Sequence, residues 1–174
     1  MVVVMLFLIM SCGGSKIQQT DAVTDRAAMP QLRAYDITTV ISDSGITRYR
    51  ISTPEWNRYD RAVKPYWEFP RGIYLERFDE DLNIDANVRS KYAKYLENEQ
   101  LWELRGDVRI ISVKGEMFES ERFFWNERTE KIYSDTLVRI TQPTRILNAI
   151  DFWANQQMTK YQFSDVTGPL LFEE

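Results

Sequence analysis

The chain has 174 residues, is 44% hydrophobic and carries a net charge of −4. That is enough for one domain with a substantial core, and the acidic balance argues against a nucleic-acid role, since phosphate binding wants a basic face. It contains no histidine and one cysteine, which removes Ser-His-Asp and Cys-His catalysis and the usual metal ligands. Enzymes as a class are not excluded, but most familiar nucleophilic and metal chemistries are, and no cofactor or metal site is expected.

Val2 to Met10 is a short apolar run ending in Ile9-Met10-Ser11-Cys12. Nine apolar residues are too few to span a bilayer, which takes about 20, and they suit the h-region of a secretory signal. No Lys or Arg precedes the run. An aliphatic residue, a spacer, a small residue and then cysteine is the pattern of a lipobox. Residues 1–11 are therefore expected to be a signal peptide and Cys12 a lipid attachment site. Lipid at Cys12 would hold the protein on a membrane surface outside the cytoplasm. Residues 12–35 are polar, rich in Ser, Gln, Thr and Asp, and read as a flexible tether. Residues 36–174 are expected to be the folded domain.

From Asp36 the pattern has period two. Ile37-Thr38-Thr39-Val40-Ile41 is β-branched, Asp43-Ser44-Gly45 is a turn signal, and Ile46 to Ser52 resumes as a strand. Thr53-Pro54 is expected to break it. Residues 56–70 hold Trp56, Tyr59, Tyr66, Trp67 and Phe69 with Pro65 and Pro70. They read as an irregular aromatic plug, with a helical turn an option near residues 55–63. Residues 72–78 and 84–95 are strands on either side of the acidic turn Asp79-Glu80-Asp81-Leu82-Asn83.

Two segments thirty residues apart match. Trp102-x-Leu104-x-Gly106-x-Val108-Arg109-Ile110 corresponds to Ile132-x-Ser134-x-Thr136-x-Val138-Arg139-Ile140. Between them the inward positions Phe118, Ser120, Phe123 and Trp125 step by three from 120 to 123, as a β-bulge would produce. Residues 126–130 form a polar turn. One face is thus Trp102, Leu104, Val108, Ile110, Phe118, Phe123, Trp125, Ile132, Val138 and Ile140. The other carries Glu103, Arg105, Arg109, Glu119, Glu121 and Arg139. The apolar face is a packed core, or a core that also opens to an apolar ligand; periodicity does not separate these. Many short alternating strands predict an all-β domain. The acidic turn alternates Asp79, Asp81, Asn83 and Asp85 like an EF-hand loop. Ile84 stands where that loop needs glycine and Ser90 where it needs glutamate, so a solvated turn is preferred to a calcium site or a paired-carboxylate hydrolase.

The strings Arg48-Tyr49-Arg50-Ile51-Ser52-Thr53-Pro54-Glu55-Trp56, Pro65-Tyr66-Trp67-Glu68-Phe69-Pro70, Gly72-Ile73-Tyr74-Leu75-Glu76, Leu101-Trp102-Glu103-Leu104-Arg105-Gly106, Phe124-Trp125-Asn126, Ile132-Tyr133-Ser134-Asp135 and Gln157-Met158-Thr159-Lys160-Tyr161, in this order and spacing, resemble the LptC family, a component of the lipopolysaccharide exporter. The resemblance covers roughly residues 36–168, and the lipobox fits the family's lipoprotein branch. It implies an open, twisted β-jellyroll of many short antiparallel strands, a non-enzymatic protein, and lipopolysaccharide acyl chains in the apolar interior. It further implies the LptF/LptG permease with the LptB ATPase and an LptA-type periplasmic bridge protein as partners. The expected place is the periplasmic face of the inner membrane. The ten apolar-face residues are then groove candidates. A stand-alone lipoprotein binding an apolar ligand or glycan is the alternative. Two departures stand out: the family's Asn after the central-strand glycine is Asp107 here, and its Gly-x-Gly before the last aromatic segment is replaced within Asn148-Ala149-Ile150-Asp151-Phe152.

Overall fold

A computed structural model describes residues 28–43 and 45–167; the expected signal segment, Cys12 and residues 13–27 of the expected tether lie outside the described residues. Among the described residues there are fourteen strands, every pairing between them is antiparallel, and there is no helix. The strands are β1 (Leu32–Asp43), β2 (Ile46–Tyr59), β3 (Tyr66–Phe69), β4 (Ile73–Phe78), β5 (Ile84–Ser90), β6 (Tyr92–Leu96) and β7 (Leu101–Ile111). They continue as β8 (Met117–Asn126), β9 (Lys131–Tyr133), β10 (Val138–Gln142), β11 (Arg145–Ile150), β12 (Trp153–Asn155), β13 (Tyr161–Gln162) and β14 (Asp165–Thr167). This is the expected β-jellyroll.

The long strands change partners half-way. β2 pairs with β4 over residues 49–52 and with β3 over residues 57–59. β7 pairs with β6 over residues 101–105 and with β5 over residues 109–111. β8 pairs with β10 over residues 117–119 and with β9 over residues 124–126. Following these pairings gives two layers. The first runs β1, β2, β4, β5, β7, β8, β10, β11, β14, and the second β1, β2, β3, β6, β7, β8, β9, β12, β13. β1, β2, β7 and β8 belong to both, and the chain crosses from layer to layer along one corner.

The corner has a backbone signature. Asp36, Gly72, Gly106, Asp107 and Asp151 all have positive φ and all lie at crossings. Gly106 and Asp107 together face only Glu121, because Arg105 pairs with Arg122 and Val108 with Ser120. A bulge is expected here, but on β8; the extra residue is instead on β7, its partner, because the left-handed Gly106-Asp107 pair takes up the corner. Hydrogen bonds continue the ladder across the corner from Lys91 N to Gly106 O (3.0 Å), Ser134 N to Phe152 O (3.0 Å) and Ser164 N to Ile150 O (3.1 Å). The hydroxyls of Ser120, Ser134 and Thr136 bond one another between 2.8 and 3.2 Å.

Several expectations change. Thr53-Pro54 does not end its strand, and residues 55–59 form no helical turn: β2 runs on to Tyr59. Pro54 falls between the paired positions Tyr35–Glu55 and Ile37–Thr53, opposite left-handed Asp36, where the ladder has a gap and its missing N–H costs nothing. The aromatic segment is ordered as β3, and the apparent long strand at residues 84–95 is two, β5 and β6, with Lys91 at the corner. β1 begins at Leu32, four residues ahead of the expected domain start.

Gly72 should be the least replaceable corner residue. A Cβ there would sit 2.3 Å from the Ser90 carbonyl oxygen, whereas one on Gly45, at a similar φ, would meet nothing within 4 Å. Gly72→Ala is expected to lose roughly 2–5 kcal/mol, left-handed strain plus overpacking, and Gly45→Ala roughly 1–2 kcal/mol from strain alone. Urea unfolding measures both, and equal losses would refute the close-approach argument.

Candidate functional site

The two layers turn different side chains inward. The first is mostly aliphatic, with Ile51, Leu75, Val108, Ile110, Val138, Ile140 and Leu147. The second is mostly aromatic, with Trp56, Trp67, Phe69, Trp102, Phe123, Trp125 and Phe152. Alternation places these residues inward, and the crossing at the corner brings the two halves of each long strand face to face. The aromatic floor is nearly continuous. Ring centroids step from Trp56 to Phe69 (6.3 Å), to Trp102 (5.7 Å), to Trp125 (6.3 Å), and on to Tyr49 of the facing layer (5.6 Å).

Nine of the ten residues expected on the apolar face are buried: Trp102, Leu104, Val108, Ile110, Phe118, Phe123, Ile132, Val138 and Ile140. Trp125 is partly buried and packs against them. Five of them, Val108, Phe118, Phe123, Val138 and Ile140, are 0% exposed and form the centre of the core. Ile110, Trp125 and Ile132 also reach free space.

That space consists of two apolar crevices. One, of about 40 Å³, lies between the layers and is lined by Tyr49, Leu75, Arg77, Ala86, Val88, Ile110, Trp125, Ile132, Gln156 and Met158. The other, of about 90 Å³, lies at the β1 end and is lined by Ile37, Thr39, Ile41, Ile51, Thr53, Trp56, Trp67 and Phe69. Alternation alone had not singled out Tyr49, Leu75, Val88, Met158 and Trp56 as lining residues. The first crevice opens on a polar basin of about 520 Å³ with Arg48, Arg77, Asp79, Glu80, Asp85, Gln156 and Gln157 on its walls. There Arg77 makes a two-pronged pair with Asp85, both contacts at 2.7 Å, and Arg48 has no ion pair among the described residues.

Away from the basin the layers are latched. The Gln142 amide donates to Glu116 Oε1 (2.6 Å) and to the Tyr161 hydroxyl (2.6 Å), Tyr161 donates to Glu116 (3.1 Å), and Lys114 Nζ reaches the Thr159 carbonyl (3.4 Å). Burial raises the Tyr161 phenol above its ordinary value of 10.0, and Glu116 adds to this. Burial does the same to Tyr49, and to Tyr95, which donates to Glu127 (2.9 Å).

The acidic turn serves itself. Asp79 Oδ1 accepts from the Asp81 and Asn83 backbone N–H groups (2.9 and 2.8 Å) and Oδ2 from the Asn83 amide (3.2 Å), which hold its carboxyl below the ordinary range. The sheet ends are β1, and β13 and β14 at the other end. At that end β13 (Tyr161–Gln162) is followed by β14 (Asp165–Thr167).

A family model described as lipopolysaccharide-assembly, LptC-related matches residues 1–168. No curated protein matches the chain.

Truncating the core centre should unfold rather than tune the molecule. Phe118→Ala is expected to cost roughly 3–5 kcal/mol by denaturant unfolding, and a loss below about 1 kcal/mol would mean that Phe118 lines a pre-existing lumen. The raised phenols fix a pH limit. Their folded pKa values exceed the unfolded ones, so their contribution is complete below about pH 10 and fades as pH rises beyond it. Melting temperature should therefore fall as pH climbs past about 10, and Tyr161→Phe should lessen the fall. Absorbance titration showing all tyrosines ionising together near 10 would contradict this.

Proposed function

The chain belongs to the LptC-related family of lipopolysaccharide-assembly proteins, and from that premise we propose that it receives the acyl part of lipopolysaccharide between its layers and passes it onward. The family places the chain in lipopolysaccharide transport at the inner membrane and periplasm, as a transport component. The proposal adds the route, the anchor and the hand-over.

The observation that carries it is the inter-layer crevice, with aliphatic Leu75, Val88 and Ile110 facing aromatic Trp125 and with a polar basin at its mouth. A lipid with apolar chains and a charged head fits that succession. Each methylene removed from water contributes about 0.8 kcal/mol, so complete enclosure of several chains would trap the cargo. A slot open along one side covers only part of each chain and keeps binding reversible. At about 40 and 90 Å³ the crevices hold only a few methylenes, so loading requires the layers to part at the side where no latch joins them.

In this reading Cys12 carries the acyl anchor and the polar stretch after it spans from the membrane to β1. The edges at β1 and at β13–β14 accept neighbouring strands by main-chain pairing. The LptF/LptG permease with LptB supplies cargo at one end, and an LptA-type bridge protein takes it at the other. Covering these edges also removes the aggregation hazard of an open strand.

The test is a photo-crosslinking amino acid placed in living cells at Val88 or Ile132, with outward-facing Arg139 as control. Lipopolysaccharide adducts at 88 and 132 but not at 139 are expected. Absence of adducts at both inward sites, in a folded and correctly located protein, would leave the interior an ordinary core and overturn the route.

A further inference from the structure

Four tryptophans make up most of the aromatic floor, and their indole N–H groups fall into two pairs. Trp102 donates to Glu127 Oε1 (3.0 Å) and Trp67 to Glu97 Oε1, both acceptors in turns at the outer end of the second layer. Trp56 and Trp125 have indole nitrogens that are buried and have no acceptor among the described residues. One lies in each crevice: Trp56, beside the already bonded Trp67, lines the crevice at the β1 end and Trp125 the inter-layer one.

A buried donor without a partner is a standing cost, and buried indoles normally find one. Little nearby relieves it. In the first crevice the Thr53 hydroxyl is committed to the Gly72 carbonyl (2.9 Å) and to Glu55, and the Thr39 hydroxyl, which also lines it, does not accept from the indole. In the second, the guanidinium of Arg77 is a donor and is taken by Asp85, and neither the Gln156 amide nor the Tyr49 hydroxyl on its wall accepts from the Trp125 indole. A bound water needs two or more polar partners, and both crevices are otherwise walled mainly by Ile, Leu, Val, Met and aromatic rings. A plain hydrocarbon chain would fill either crevice and leave both donors unmet. A chain carrying an oxygen acceptor would fill it and meet them.

Building on the reading of these crevices as lipid slots, we propose that Trp56 and Trp125 select the cargo: they donate their indole N–H to hydroxyl or ester oxygens carried on the acyl chains, so the slots prefer oxygenated chains to bare ones. The ring of each tryptophan provides the apolar contact and the nitrogen reads the oxygen. Phenylalanine at either position keeps the first and removes the second. The two sites lie at opposite ends of the floor, joined through Phe69 and Trp102, so a multi-chain lipid can engage both.

The full chain, labelled with ¹⁵N-tryptophan and purified in a mild detergent, is titrated with 3-hydroxytetradecanoic acid and separately with tetradecanoic acid. The indole signals of Trp56 and Trp125, assigned from Trp56→Phe and Trp125→Phe, are expected to move downfield with the hydroxylated acid, while those of Trp67 and Trp102 hold still. Affinity for the hydroxylated acid should exceed that for the plain acid by roughly five- to tenfold, the worth of a net hydrogen bond. That preference should drop to about twofold or less in the double Phe variant. Equal affinities and identical indole shifts for the two acids would overturn selection by the indoles while leaving the slots as lipid sites. Binding of neither acid would overturn the lipid-slot reading itself.

Discussion

The structure depends on one backbone constraint: strands must leave one layer and enter the other without abandoning their hydrogen-bond ladder. A buried backbone N–H or C=O without a partner is too costly to tolerate repeatedly. The chain solves this with residues of positive φ at the crossings, namely Asp36, Gly72, Gly106, Asp107 and Asp151. Hydroxyls of Ser120, Ser134 and Thr136 then stitch together crossings that the main chain leaves apart. Because the crossing is shared, the two halves of β7 face each other across the interior: Trp102 and Leu104 belong to one wall, Val108 and Ile110 to the other. The division into aliphatic and aromatic walls follows from that geometry.

Much of this was legible in the sequence. Alternation over Trp102 to Ile140 identified an inward face that the structure buries, while the three-residue step from Ser120 to Phe123 pointed to a bulge at this level of the sheet but on β8, when the extra residue is on β7. What alternation cannot express is a change of partner. It is local, whereas β2 pairs first with β4, 22 to 28 residues on, and then with β3, 7 to 11 residues on. Thr53-Pro54 therefore read as an ending, when it is the point where β2 passes from one layer to the other. For the same reason the most regularly alternating residues were the wrong place to look for free space. Val108, Phe118 and Val138 alternate well because they are the packed centre. The crevices lie where packing is incomplete, beside Tyr49, Val88, Met158 and Trp56, and incompleteness of packing leaves no periodic mark.

The two departures from the family pattern have a common resolution at the corner. Asp107 stands where an asparagine is usual and adopts φ 46°, and Asp151, in the stretch that lacks the usual glycines, adopts φ 50°. Aspartate is among the few non-glycine residues that enter the left-handed region readily, its short carboxylate being able to bond locally. Asp107 does bond locally, to Arg109 on the same strand (3.3 Å). The corner therefore needs left-handed backbone at fixed places, and glycine is only one way to supply it.

The interior is held unequally along its length, and this bears on how a cargo enters. Toward β12 and β13 the layers are joined by Glu116, Gln142, Tyr161 and Lys114 in a connected set of hydrogen bonds. Beside the basin the cross-layer contact is the tilted pair Tyr49 and Trp125, a contact between rings that slides at little cost compared with breaking buried hydrogen bonds. Parting should therefore begin at Tyr49. On the proposed route that would open the inter-layer crevice while the latch keeps the far end in register, and a chain entering past the basin would meet the aromatic floor before the core. Phe118, Phe123 and Phe152, each at most 1% exposed, lie in the packed centre, so on the proposed route widening at one side need not surrender the burial that keeps the domain folded.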